Sequence, residues 1–363
     1  MKLTVFNAQH RALGAKMELF AGYEMPVIYD GIVAEHNNVR NNVGVFDVSH
    51  MGEFTVKGES AAAFLQRITT NDINSLYDGK VLYTCLPNGN GGIIDDMLVY
   101  RISSDNYLVV PNAANIEKDW NWFVRQNEKY NAELKNISDE ISQLAVQGPN
   151  ALKVMQKLTD TPIEDMEYYT FKYLTLADIP NILLSTTGYT GAGGCEIYFK
   201  NEDSDKIWNA VFEAGEEFGI KPAGLGARDT LRLEMGFCLY GHELNDTTSA
   251  VEAGLNFIIK FVDGNDFIDR SLYEEQKKQG LSKKLVGFEM IDRGIPRAEY
   301  SLTDENGTII GSVCSGSQSP STGKAIGTGY VKPEYAKQGT EIRIDIRGKL
   351  LKAQVVRLPF YKG

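Results

Sequence analysis

Alternation of apolar and polar residues is clearest near the end of the chain. In Glu341-Ile-Arg-Ile-Asp-Ile-Arg347 the three isoleucines share one face of a strand. The alternation resumes after Gly348 at Leu351, Ala353 and Val355, which predicts a hairpin. Almost everything from about residue 283 onward is strand or turn by the same test, so a small β-barrel or sandwich is expected there. The charged stretch Glu274–Lys284 is expected to be a helix end and linker feeding it. Upstream, short strand patterns at 53–58, 81–86, 93–101 and 107–111 mix with helical patterns at Ala61–Ile68 and Ile116–Gln126. That mixture predicts antiparallel sheets with helices packed on them, an α+β arrangement. A further strand begins at Ile141 and is stopped by Gly148-Pro149, and a helix opens with Asn150 as its N-cap.

One strand breaks the pattern. Gly91-Gly92-Ile-Ile-Asp-Asp-Met-Leu-Val-Tyr100 carries two adjacent carboxylates inside an apolar run. Neighbouring side chains on a strand point to opposite faces, so Asp95 and Asp96 cannot both face water if one face is covered. Burying a carboxylate is unfavourable unless it is paired. Two readings fit: one acid lines a cleft and has a task, or the strand is an edge whose acids bond nearby N–H groups.

Length and composition narrow the class. A chain of 363 residues is too long for one ordinary core, so two or three domains are expected. Its 43% hydrophobic and 23% charged residues are those of a globular protein. No apolar run approaches the roughly 18 residues of a membrane span, and the first residues resemble neither a secretory nor a transit signal. A cytoplasmic location is the expectation. The net charge of −11 repels nucleic acid backbones and anionic lipid. Cys85, Cys195, Cys238 and Cys314 are far apart, which predicts reduced core thiols, and the four histidines lack metal-ligand spacing. No phosphate-binding loop or dinucleotide fingerprint follows a strand.

Two further clusters could carry chemistry. Glycines at 188, 191, 193 and 194 allow close approach of a flat ligand, with Tyr189 at the turn and Glu196 at the start of a strand. A carboxylate there can accept two parallel hydrogen bonds from an amidine-like ring edge, or it is a solvated residue of a glycine-rich hairpin. In Gly224-Leu-Gly-Ala-Arg-Asp-Thr-Leu-Arg-Leu-Glu-Met-Gly236 a helix is expected from Arg228 onward, packing through Leu231, Leu233 and Met235. An Arg at a helix start opposes the helix dipole, so either an anionic ligand or Asp229 is expected to compensate it. Asp47-Val-Ser-His50 places Ser and His side by side, which favours a turn over a catalytic pair. Tyr83, Tyr168 and Tyr169 are candidate walls for a flat ring, or core residues.

Taken in order, Asp-Val-Ser-His-Met near 50, Gly-Gly-Ile-Ile-Asp-Asp near 95, Val-Gln-Gly-Pro near 147, Thr-Gly-Tyr-Thr-Gly near 189 and Gly-Leu-Gly-Ala-Arg-Asp-Thr-Leu-Arg near 229 are together specific. The succession resembles the aminomethyltransferases, or T-proteins, of the glycine cleavage system, from Gly14-Ala-Lys-Met-Glu-Leu-Phe to the C-terminal strands. The resemblance implies a cloverleaf of domains around a tetrahydrofolate channel, with a jelly-roll-like C-terminal barrel. Expected domains are 1–51 with 142–275, then 52–141, then 283–363. It implies transfer of an aminomethyl group from the dihydrolipoyl arm of the H-protein to tetrahydrofolate, releasing ammonia and forming 5,10-methylenetetrahydrofolate. By the family pattern Asp96 is the catalytic carboxylate near folate nitrogen 10, and Asp95 points away. Glu196 receives the pterin N–H groups, Arg228 contacts folate, and Tyr189, Tyr83, Tyr168 and Tyr169 enclose the rings. Tyr361 reaches the channel.

The Cys and His spacing implies no metal, and the charge and the absence of a long apolar run imply no nucleic acid or membrane partner; the resemblance adds transient meetings with the other glycine cleavage enzymes. The chain departs from the family at Gly191-Ala-Gly-Gly-Cys195, at His242-Glu-Leu-Asn, at Thr248-Ser-Ala-Val, and at Tyr23 and Asn256, where Trp is usual. These departures bear on channel detail and carrier docking. Folate-dependent demethylases share the scaffold, but Asp96 and the motif order favour aminomethyl transfer. Folate-binding maintenance proteins carry a Lys-Gly-Cys-Tyr-type motif where this chain has Gly224-Leu-Gly-Ala-Arg-Asp.

Overall fold

The computed structural model describes residues Met1–Gly363. They gather into two compact units, the first made of Met1–Gln66, Ile73–Thr84 and Met97–Asp229, the second of Arg67–Asp72, Cys85–Asp96 and Thr230–Gly363.

The main sheet of the first unit has six strands, in the spatial order Phe171–Leu176, Ile179–Ser185, Gly194–Lys200, Ile141–Gln147, Gly44–Asp47, Lys221–Pro222. All neighbours are antiparallel except the last pair. Alternation gives this sheet two different faces. Leu144, Val146, Leu184, Cys195 and Ile197 pack against Val154 and Met155 of helix Ala151–Gln156 and Ile207, Trp208 and Val211 of helix Ser204–Gly215. On the opposite face Leu183 and Tyr198 pack with Val81, Tyr100, Leu108, Val110 and Phe171. Tyr100 and Leu108 belong to a five-stranded sheet, ordered Val81–Pro87, Ile93–Ser103, Asn106–Val110, Phe54–Lys57, Glu133–Asn136. The strands and helices expected between 53 and 156 are present with ends shifted by one or two residues. Asn150 precedes its helix without a side-chain cap, its carboxamide oxygen accepting from Lys153 instead.

In the second unit six strands close a barrel: Lys284–Met290, Ala325–Val331, Ile309–Gln318, Ser301–Thr303, Glu341–Ile346 and Lys349–Val356. The expected hairpin is its last pair, with Ile346 opposite Lys349. Ile342, Ile344, Ala353 and Val355 point inward onto Phe288, Leu302 and Val313. Helix Arg270–Gln279 ends in Gly280 just before the barrel, as the charged stretch suggested.

Arg232 and Glu243, each about 1% exposed, form a buried ion pair at 3.1 Å. Arg232 also donates to Ser315 of the barrel, and Glu243 accepts from Thr328 of the barrel at 2.5 Å.

Candidate functional site

Glu196 sits on the second face of the six-stranded sheet, opposite Ala145 on one side and Ser185 on the other. Its carboxylate is gripped from behind. Gln143 Nε2 donates to one oxygen at 3.0 Å, and Thr187 Oγ1 donates to the other. Gln143 gives its second hydrogen to the Tyr198 hydroxyl at 3.0 Å, and that hydroxyl meets Tyr100 Oη at 2.8 Å. Burial pushes the Glu196 carboxyl above the ordinary carboxylate range, and Thr187, Arg228 and Gln143 pull it back. This is not the solvated hairpin residue that the glycines alone allowed. The turn before the strand is tied down by Gln147, which donates to the carbonyls of Thr187 and Cys195 and accepts from Thr190.

Arg228 lies in helix Leu225–Glu234, which starts three residues before the expected position and ends before Met235. The early start has a steric cause. A Cβ at Gly224 would lie 2.3 Å from the carbonyl oxygen of Val27, so only glycine lets the chain turn into the helix so close to that backbone. Glu35, 2% exposed, fixes the junction. One of its oxygens accepts from the backbone N–H groups of Tyr29, Asp30 and Gly31, the other from Gly224 at 2.7 Å. The Arg228 guanidinium then lies over the Tyr189 ring, 4.6 Å from its centroid. Buried His50 is pushed down to about 4, first by burial and then by the Arg228 charge, so its imidazole is neutral near pH 7. Asp47 and Ser49 form the turn expected there, with Ser49 N–H donating to Asp47 at 2.9 Å.

In the second unit Asp95 is 0% and Asp96 9% exposed. Both acids are therefore buried, and Asp96 is the one that retains some access. Burial raises the Cys85 and Cys238 thiols well above their ordinary range, and the Asp96 charge adds to both. The approach to the strand is rigid. Asn88 Oδ1 accepts from the N–H groups of Asn90 and Gly92, and Ile93 N–H bonds the Asn245 carbonyl at 3.1 Å. A Cβ on Gly92 would stand 1.8 Å from the Asp246 carbonyl oxygen. Gly92→Ala is therefore expected to lower stability by about 1–3 kcal/mol, read as a lower urea midpoint.

Among the aromatic candidates, Tyr169 packs against the cluster of Tyr100, Leu183 and Tyr198, and the Glu196 charge reaches Tyr168. Tyr168 and Tyr169 form an edge-to-face pair with centroids 4.7 Å apart, and Tyr168 is 60% exposed. Tyr83 is half-buried on strand Val81–Pro87. Tyr361 N–H bonds the Glu234 carbonyl at 3.2 Å, where helix Leu225–Glu234 ends. Sequence reasoning missed Gln143, Thr187, Tyr198 and Glu35. The alternation of Gln143 and Gln147 with Leu144 and Val146 was a usable signal, because it marks a polar face on a covered sheet. Glu35 gave a weaker one, an acid in the first helical turn after Gly31.

No group of His, Cys, Asp or Glu side chains is arranged to hold a metal ion, and no helix is long and apolar enough to cross a membrane. Residues 6–263 match the family model of the GCVT N-terminal domain, and residues 283–362 that of the glycine cleavage T-protein C-terminal barrel domain. The chain is 61% identical to an aminomethyltransferase of Bacteroides fragilis over 100% of both chains. It is 57% identical to an aminomethyltransferase of Porphyromonas gingivalis, again over 100% of both. Among solved structures, the glycine cleavage system aminomethyltransferase T of Bartonella henselae superposes with a TM-score of 0.92 and 29% identity, covering 99% of this chain and 98% of that one.

Proposed function

Because the chain belongs to the glycine cleavage T-protein family of aminomethyltransferases, we propose that Glu196, Arg228 and Tyr189 hold the pterin end of tetrahydrofolate and that Asp96 acts on its reacting nitrogen. The reaction is the tetrahydrofolate-dependent aminomethyl transfer of the glycine cleavage system. The aminomethyl carbon leaves a dihydrolipoyl sulfur, its nitrogen departs as ammonia, and the carbon ends as the methylene of 5,10-methylenetetrahydrofolate. We assign the dihydrolipoyl arm to the H-protein and expect only transient contact with the other enzymes of the system. Three domains, 1–51 with 142–275, 52–141 and 283–363, remain our proposed division of the chain.

The observation that carries the ligand assignment is the bonding state of Glu196. Each carboxylate oxygen already accepts one hydrogen bond from the protein. Each retains a further lone pair, so together they present two parallel acceptor sites. The N–H pair on a pterin edge matches that pattern. Arg228 over Tyr189 adds a flat cationic surface beside it. Tyr83, Tyr168, Tyr169 and Tyr361 are proposed as further ring contacts. At Asp96 a carboxylate can orient the reacting nitrogen, accept its proton and stabilise the cationic carbon formed as sulfur or ammonia leaves.

The deciding assay mixes the enzyme with aminomethyl-loaded H-protein and tetrahydrofolate and follows ammonia and methylenetetrahydrofolate together. Equal formation of both, absent when either substrate is omitted, is the expected result; no folate-dependent ammonia release overturns the reading. For the pterin contact, Glu196→Ala is expected to weaken tetrahydrofolate binding by about 1.5–3 kcal/mol, measured by calorimetry. Unaltered affinity would remove Glu196 from the ligand site.

A further inference from the structure

We propose that Gln143 and Thr187 are positioning residues that hold the Glu196 carboxylate ionised and aimed at the pterin edge. The inference rests on the assignment of Glu196 to that edge. Its basis is a buried circuit of polar groups on one sheet face. Gln143, 1% exposed, spends both amide hydrogens, on Glu196 and on Tyr198, and its own Oε1 accepts nothing. Turning the amide over would set Oε1 against the carboxylate, so the observed orientation is the one that an ionised Glu196 selects. Thr187, 2% exposed, has a single hydroxyl hydrogen and gives it to the other carboxylate oxygen. Its oxygen is then left to accept from Ser185 Oγ at 2.9 Å. Tyr100 Oη, 3.5 Å from Thr187 Oγ1 and 2.8 Å from Tyr198 Oη, closes the circuit.

This arrangement fixes direction as well as charge. Two donors behind the carboxylate, one per oxygen, prevent it from rotating and leave its free lone pairs side by side. A protonated Glu196 would present one donor and lose that match. The other titratable groups around the carboxylate are Arg228, Tyr100, Tyr198, Tyr168 and Cys195. Arg228 is the cation among them, and it stays in place when either donor is removed. The sign of the effect follows. Without a donor Glu196 takes up a proton at higher pH, so folate affinity falls away earlier on the acid side.

The test is tetrahydrofolate affinity as a function of pH for Thr187→Val, Gln143→Met, Thr187→Ser and Glu196→Ala. Thr187→Val and Gln143→Met are each expected to bind about tenfold more weakly at neutral pH, with the acid limb displaced upward. Thr187→Ser restores both affinity and pH profile. If Gln143→Met does not fold, the valine and serine pair decides. Loss of binding in Glu196→Ala with native affinity and pH profile in Thr187→Val overturns the positioning role alone. Native affinity in Glu196→Ala overturns the pterin assignment, and this inference with it. A packing role for Thr187 would weaken binding equally at all pH values, which also counts against the proposal.

Discussion

Asp96→Asn is expected to reduce single-turnover ammonia release by roughly 10²-fold or more while tetrahydrofolate still binds. The substitution keeps the size of the side chain and most of its hydrogen bonds. It removes the negative charge and the proton acceptor. The loss should therefore appear in turnover and hardly in affinity, because the missing interaction develops with charge at the reacting centre. Asp95→Asn makes the control, since Asp95 is fully buried on the opposite face of the same strand. It is expected to lower stability and leave turnover near that of the native enzyme. A severe turnover defect in Asp95→Asn with an active Asp96→Asn would mean that the two faces of the strand are assigned the wrong way round.

The largest effect on stability is expected at Glu243. Its charge is matched by Arg232 at 3.1 Å, and it also accepts the Leu239 N–H at 2.9 Å. Glu243→Gln removes the carboxylate charge 3.1 Å from the buried Arg232 guanidinium, and breaking a buried ion pair at one partner typically costs about 3–5 kcal/mol. The measurement is urea denaturation of the full chain, with Arg232→Met and the double variant completing a cycle. The double variant is expected to lose less stability than the sum of the two single ones, because each single change already breaks the pair. Strictly additive losses would show that the two groups do not depend on each other.

Much of the fold was legible because its strands obey simple alternation. Ile342, Ile344, Ala353 and Val355 all point into the barrel as the pattern required. The strand carrying the two acids was equally plain, but its surroundings were not. Alternation predicts opposite faces without saying that both are covered, and both acids proved to be buried. The helix bearing Arg228 was misplaced at its start because Gly224 and Gly226 lower helix propensity. Their role is the close approach to Val27 and Ile32, which depends on segments two hundred residues away. The groups behind Glu196 were hidden for the same reason. Gln143, Tyr100 and Thr187 come from three separate strands and turns, and nothing local in any of them announces a shared circuit.

The four thiols provide an internal gauge of motion. Cys195 belongs to the first unit and Cys85, Cys238 and Cys314 to the second, and none is more than 8% exposed. Burial raises all four above their ordinary range, Cys314 up to about 12, so the native state offers a reagent almost no thiolate. Alkylation must then wait for opening, and its rate at each position records how often the surrounding segment opens. Mapping the modified peptides separates Cys195 from the other three. The unmodified chain can thus report, in one experiment and without introduced probes, which of its two units loosens first as denaturant is raised.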